Sequence, residues 1–476
     1  MSMNKTKIIA TIRDTYAEEK LIAIYKAGVN IVRFNFSHAE HEYVKPLVER
    51  IHQLNKEGVT DLGILLDTKG PEVRTGVREE PYEYQLHENF RIFVDANKMT
   101  EKSDMFSDYP YLLEDLKVWD TIAIESGLMS VEVKEVKSDY LVVEAKAPCK
   151  IGSKRHMNFP GIKLRLPWLT EKDKKDLKFW IENEIDYIAA SFIRNKENIK
   201  EIRDFLKENN AEHIKIISKI ENQEGLDNLE DIIENSDAIM IARGDLGIEI
   251  PIETLPYWQD EILEHCKEHW KPCVMATELL KSMVHSPFPT RAEVSDVYHA
   301  VTWGASAVML SDETAAWDYP VESVAIMRKT VSEAEKNSYN DHEDFEISLK
   351  TNNEDEYEKL DQKRLFFKNA LFMADENNVN AIIICSKNGI NAHLIAWNRP
   401  NQHVFYVVDS DKTYHTLHHL YGIKALKSDL SAWVNGNEII TTLMEHKRIS
   451  TGDKVMIITD WEEFSNNAGI KITEIK

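Results

Sequence analysis

Six apolar runs of this chain end in residues able to do chemistry. One at 29–36 carries Arg33, Asn35, Ser37 and His38. Another at 62–68 carries Asp67 and Thr68, with Arg74 shortly after. Later runs lead into Lys219 and Glu221, Arg243 and Asp245, Thr277 and Glu278, and Ser311 and Glu313. Glu221 and Asp245 suit Mg²⁺, which takes one or two carboxylates together with water and substrate oxygens. Lys219 stands two residues before Glu221, so in a strand both point the same way. Arg33 and Arg74 have the fork that grips phosphate or carboxylate through paired hydrogen bonds. Asn35, Ser37, Asp67 and Thr68 are small oxygen donors of the kind that coordinate a monovalent cation. Gly244 permits a tight turn that offers backbone N–H groups to an anion.

Singly, each residue has a plainer reading. Asp245 can cap a helix, Glu221 can be a surface carboxylate, and an arginine after a strand is more often an ion-pair partner. The four oxygen donors can cap loops, and His38 is one of 17 histidines. Recurrence favours chemistry: surface charge would not fall so regularly just after buried runs.

Strands buried on both faces of a parallel sheet read as continuous apolar runs. Eight such runs occur, at 7–12, 29–36, 62–68, 186–193, 214–221, 238–245, 271–278 and 305–314. Helix-like segments separate most of them. This alternation predicts an α/β fold, a closed (β/α)₈ TIM barrel whose strand ends share one catalytic face. It breaks after the third run into short segments of period two, such as FRIFVDA and LMSVEVKEV. They predict a small inserted β-barrel lid over that face. The expected organisation is a catalytic barrel at 1–71 and 166–335, the lid at 72–165, an acidic linker at 336–362, and a C-terminal open-sheet α/β domain at 363–476.

Composition narrows the function. With 476 residues and 43% apolar, several full cores are expected. A net charge of -23 disfavours nucleic acid and anionic membrane. Anionic substrates would then need a locally basic pocket or metal ions. Four cysteines without metal-like clustering suit the reducing cytoplasm. The sequence contains neither a secretory apolar region nor a bilayer-length one.

Taken together, the stretches NIVRFNFSHAEHEY, LLDTKGPEVRTG, ISKIENQEG, IMIARGDLGIEIP and AVMLSDETAAWDYP resemble the pyruvate kinase family, in its order and spacing. The resemblance implies phosphoryl transfer from phosphoenolpyruvate to ADP, giving pyruvate and ATP at the end of glycolysis. It implies Mg²⁺ (or Mn²⁺) on Glu221 and Asp245, and K⁺ on Asn35, Ser37, Asp67 and Thr68. By the same resemblance Lys219 and Arg33 hold the phosphoryl group, and Arg74, His38 and Asn35 contact the nucleotide. Gly244, Asp245 and Thr277 bind substrate, and Thr277 with Ser311 lies on the proton route to the enolate carbon. A cytoplasmic homotetramer with a C-terminal regulatory domain is implied as well.

This chain departs from the family pattern at named places. Arg13 and Asp14 stand where a Gly-Pro turn is usual, Glu278 replaces a glutamine, and Asp312 a glycine. Val294 replaces another glycine, and Asn195 a lysine near the nucleotide phosphates. Family members that dispense with K⁺ commonly carry a lysine at the position of Glu72. The loop at 386–392, which grips a sugar phosphate in many relatives, keeps Ser386, Lys387 and Gly389 but has Asn388, Ile390 and Asn391. Two other readings stay open: a non-catalytic metabolite-binding relative, and another metal-enolate barrel enzyme such as an aldolase or lyase.

Overall fold

A computed structural model describes residues 4–35, 41–315, 318–338, 354–386, 389–428, 437–459 and 469–476. Eight parallel strands close a barrel: β1 (Lys7–Thr11), β2 (Ile31–Asn35), β3 (Gly63–Asp67), β4 (Tyr187–Ala190), β5 (Lys215–Ile220), β6 (Ala238–Ala242), β7 (Cys273–Ala276) and β8 (Ala307–Leu310). Each strand pairs with its neighbour in order, and β8 returns to β1 through Lys7–Ala307 to Ala10–Leu310. Ile9, Ile31, Leu65, Ile217, Met240 and Met309 fill the interior. Each such burial contributes about 1.5–3 kcal/mol.

Alternate strand residues face the surrounding helices, which supply amphipathic stripes. The helix Lys196–Glu208 buries Ile199, Ile202 and Leu206, at three- and four-residue spacing. Thr170 with Asp173, and Thr290 with Glu293, form capping boxes that fix two helix starts.

The inserted segment forms a seven-stranded sheet from Val73–Arg74 to His156–Asn158. It curls until its edges meet. Gly76 N–H donates to the Phe106 carbonyl at 3.1 Å, and Asp108 N–H to that of Arg74 at 3.2 Å. Gly70 makes the exit from the barrel possible. Its φ is +68°, and a Cβ there would lie 2.9 Å from the Ser191 carbonyl oxygen.

The C-terminal sheet has five strands in the order Ile423–Lys427, His403–Val408, Ala381–Cys385, Lys454–Thr459 and Gly469–Glu474, the last antiparallel. Apolar clusters cover both of its faces. The domain docks on the floor of the barrel, at the N-terminal ends of the strands. There Asp61, just before β3, accepts hydrogen bonds from the Tyr414 hydroxyl and His418 Nε2, each at 2.8 Å, and pairs with Lys424. A helix at Glu354–Glu376 begins within the stretch expected to be linker.

Candidate active site

Asp67, the last residue of β3, is buried and organises the strand-end face. Its Oδ2 receives Arg33 Nη2 at 2.6 Å and Nε at 2.7 Å. Its Oδ1 receives the Ser191 hydroxyl at 2.9 Å and lies 3.1 Å from Lys219 Nζ. Burial alone would raise the Asp67 pKa, but Arg33 and Lys219 outweigh it and hold the carboxylate below its usual range. Arg33 also donates to the Thr11 hydroxyl at 2.7 Å, so β1, β2 and β3 are tied at one level.

Lys219 donates to Ser191 Oγ at 2.8 Å and lies 2.8 Å from Glu221 Oε1. Burial would lower the pKa of this ammonium, yet Asp67 and Glu221 together raise it. The residue is therefore a fixed cation. Glu221 is fully buried rather than a surface carboxylate, and its Oε2 accepts the Phe192 N–H at 2.6 Å. Phe192 adopts a left-handed φ of 52° to present that N–H. Burial pushes the Glu221 carboxyl up to about 7, with the Asp245 charge adding to it.

Asp245 does not cap a helix. It lies in the first turn of the short helix Arg243–Glu249. Its carboxyl is also raised, first by burial, and its charge is felt at Glu221. From the lid, His156 Nδ1 approaches Asp245 Oδ1 to 3.9 Å. A buried carboxylate and a partly exposed one beside it on the cleft, each with its acidity depressed, make a donor set that fits a small divalent cation.

Opposite them, Thr277 and Glu278 have φ of 68° and 55°. This strained turn aims Thr277 Oγ1 at Gly244, whose N–H donates to it at 2.8 Å. The Gly244 amide is thus engaged with Thr277. Arg243 locks the turn, donating to the Thr277 carbonyl at 2.6 Å while pairing with Asp296 at 2.8 Å. Ser311 follows β8; its Oγ is buried and has no hydrogen-bond partner among the described residues. Buried Glu313 holds this corner by accepting the Ser311 N–H at 2.7 Å and the Leu280 N–H at 3.1 Å. A cleft of about 1140 Å³ runs past Arg33, Asp245, Thr277 and Ser311 and reaches Ser126 of the lid.

The other expected residues divide. Asn35 borders the same cleft. Thr68 Oγ1 accepts the Ser191 N–H at 3.1 Å, and the Thr68 carbonyl, 2.7 Å from Ser191 Oγ, shares that hydroxyl's one proton with Asp67. Arg74 lies at the lid root, with Nε donating to Glu72 at 2.9 Å, and borders a separate basic pocket with Lys69, Arg78 and Lys154. Ser37 and His38 fall outside the described residues. Asn35, Asp67 and Thr68 are hard oxygen donors of the kind a K⁺ site needs.

The family resemblance extends over the chain. Residues 3–324 match the model of the pyruvate kinase barrel domain, and residues 366–470 that of the pyruvate kinase alpha/beta domain. The chain belongs to the pyruvate kinase family. The pyruvate kinase of Staphylococcus epidermidis is 36% identical over 468 residues, covering 96% of this chain and 77% of the relative. That of Lactobacillus delbrueckii subsp. bulgaricus is 35% identical over 462 residues, covering 96% and 78%. A crystal structure of a pyruvate kinase from Cryptosporidium parvum superposes with a TM-score of 0.89 at 30% identity, covering 99% of this chain and 96% of that one. The protein is an enzyme of this phosphotransferase family.

Several departures from the pyruvate kinase pattern have local structural roles. Asn195 caps the helix Lys196–Glu208 by accepting the Asn198 N–H at 3.2 Å. Lys196 pairs with Asp231 at 3.1 Å. Asp312 pairs with Lys281 at 2.7 Å at the cleft rim, so its charge is offset there. Arg13 and Asp14 are exposed along the same cleft. Nothing in the structure explains Val294.

Reading the residues singly missed Ser191, Phe192 and Thr11. Arg243 stood out at the end of its apolar run, and the SFIRN stretch after β4 contains Ser191, a signal that was available. No sequence feature announces the left-handed backbone of Phe192.

Proposed function

We propose that this protein transfers the phosphoryl group of phosphoenolpyruvate to ADP, giving pyruvate and ATP. The observation that carries the reading is Lys219 bridging Asp67 and Glu221, with Glu221 against Asp245. Phosphoryl transfer needs positioning and charge neutralisation more than covalent chemistry by the protein.

Lys219 is a fixed, desolvated cation, suited to stabilising charge on a phosphoryl group in transit. Arg33, clamped by Asp67 and Thr11, supports the same group from β2. Glu221 and Asp245 would hold Mg²⁺ (or Mn²⁺), which when bound supplies charge neutralisation at phosphoryl and enolate oxygens. Asn35, Asp67 and Thr68, with Ser37, would hold K⁺. The turn at Thr277 and Gly244 orients the substrate carboxylate. The buried Ser311 hydroxyl and Thr277 form the route by which a proton reaches the enolate carbon. Arg74 and the neighbouring lid root, with His38 and Asn35, receive the nucleotide. The lid sheet limits water access to the cleft.

A cytoplasmic homotetramer completes the proposal. No helix among the described residues is long and apolar enough to cross a membrane. The fixed Lys219 and the paired carboxylates favour catalysis over a purely binding role. The lid and the C-terminal sheet favour a pyruvate kinase over an aldolase or lyase. The test is Glu221→Gln: it should raise the Mg²⁺ concentration needed for activity and lower the turnover with phosphoenolpyruvate and ADP. A wild-type Mg²⁺ dependence in that variant would refute the assignment.

A further inference from the structure

The barrel floor, at the opposite end from the cleft, carries a second group of metal-ligating side chains. Two helices bring it together. One, Leu229–Asn235, leads into β6 and presents Glu230 and Glu234, four residues apart. The other, Leu255–Glu268, leads into β7 and presents His265 and Glu268, with His269 at its C-terminal cap. Ligand atoms of His265, Glu268 and His269 all lie within 4.8 Å of one another, and so do those of Glu230, Glu234 and His269. His269 belongs to both groups.

We propose that His269 anchors a divalent transition-metal site of the zinc class on this floor, with His265 as its second imidazole and a carboxylate completing it. The spacing has a simple cause. Residues three and four apart on a helix share a face, so His265, Glu268 and His269 converge. His265 Nδ1 is buried without a hydrogen-bond partner among the described residues, and Glu268 Oε2 is 3.6 Å from it, too far for a hydrogen bond. A metal ion between them would satisfy both atoms. His265, Glu268 and His269 are half-buried, so the ion would be partly shielded from water. Two imidazoles with carboxylate select zinc, copper or nickel over Mg²⁺ and Ca²⁺, which prefer oxygen alone. The site is therefore chemically distinct from the Glu221 and Asp245 pair and does not depend on the activity proposed above.

The test uses the full chain, stripped with a chelator and returned to buffer with excess Mg²⁺ to saturate the cleft. Zn²⁺ is then titrated by calorimetry, with melting temperature followed in parallel. The expected result is one strong Zn²⁺ equivalent per chain and a higher melting temperature. His269→Ala should weaken that binding roughly 100-fold or more, since losing even a partner of a metal ligand costs about 10–100-fold, and abolish the melting shift. His265→Ala should behave likewise, and His269→Gln serves if His269→Ala folds poorly. If the double variant Glu230→Ala, Glu234→Ala keeps wild-type affinity, Glu268 supplies the carboxylate; if it loses affinity, the neighbouring helix does. Undiminished Zn²⁺ binding in the histidine variants, or no stoichiometric binding in the wild type, would overturn the proposal.

Discussion

Lys219 and Glu221 meet at 2.8 Å, although only one residue separates them in the chain. The contact follows from extended backbone at the end of β5, where alternate side chains share a face. It places a cation and a carboxylate side by side inside the barrel mouth. Asp67 on the far side of Lys219 makes that cation doubly paired.

Replacing Lys219 tests this arrangement. Lys219→Met should lower turnover by roughly 1,000-fold or more, since a charge aimed at the transferring group is lost. The sequence alone leads one to expect an undisturbed fold. The buried pairing alters that: Asp67 and Glu221 lose a partner, at a cost of about 3–5 kcal/mol. Denaturant unfolding should therefore show a destabilised but folded variant. Unchanged turnover would remove Lys219 from the mechanism.

Asp186, just before β4, offers a pH test away from the cleft. Its Oδ2 accepts the Ile64 N–H at 2.7 Å, and burial pushes its carboxyl up to about 7. A group whose pKa is raised on folding favours the folded state below its unfolded pKa. That advantage is lost as pH rises through the folded value. Asparagine keeps the oxygen acceptor without the charge. Asp186→Asn should thus nearly match the wild type near about pH 4 and exceed it by about 4 kcal/mol near about pH 8. Urea unfolding at both pH values is the measurement, and a variant less stable at the higher pH would contradict it.

The strand-end pattern made the barrel and most of the cleft legible. Buried strands are written as apolar runs, and the polar residue after each run must lie on one rim once the barrel closes. The partners were less legible. Ser191 serves Asp67, Thr68 and Lys219, yet it is separated from Asp67 by the whole inserted lid, and only barrel closure brings β3 beside β4. Phe192 could not be foreseen, because bulky residues rarely adopt its backbone conformation. Glu221 and Asp245 were legible as chemistry, but the full burial of Glu221 was not, since burial depends on what packs above it.

Glu72 predicts potassium dependence. This carboxylate pairs with Arg74 at the lid root, where a lysine would be needed to replace the ion. Activity should fall sharply when K⁺ is withdrawn. Glu72→Lys should reduce that dependence, at the expense of the Arg74 pair. Full wild-type activity without K⁺ would contradict the proposed role of Asn35, Asp67 and Thr68.

The C-terminal loop should respond poorly to fructose 1,6-bisphosphate. Ser386 and Asn391 are buried, and Asn391 Nδ2 donates to Ser386 Oγ at 3.4 Å, so both turn inward. Lys387 and Asn388 lie outside the described residues. One lysine in a chain of net charge -23 makes a weak clamp for a doubly charged phosphate. Calorimetric titration should show weak binding or none. Sub-micromolar binding abolished by Lys387→Ala would show the opposite.

The most direct measurement is steady-state formation of pyruvate from phosphoenolpyruvate and ADP with Mg²⁺ and K⁺ present. The expected result is equal amounts of pyruvate and ATP, at a turnover within the common enzyme range of about 1–10³ s⁻¹. Lys219→Met and Glu221→Gln should each remove most of it. Binding of phosphoenolpyruvate without pyruvate formation would contradict catalysis at the Lys219, Glu221 and Asp245 centre, and would leave a metabolite-binding relative in its place.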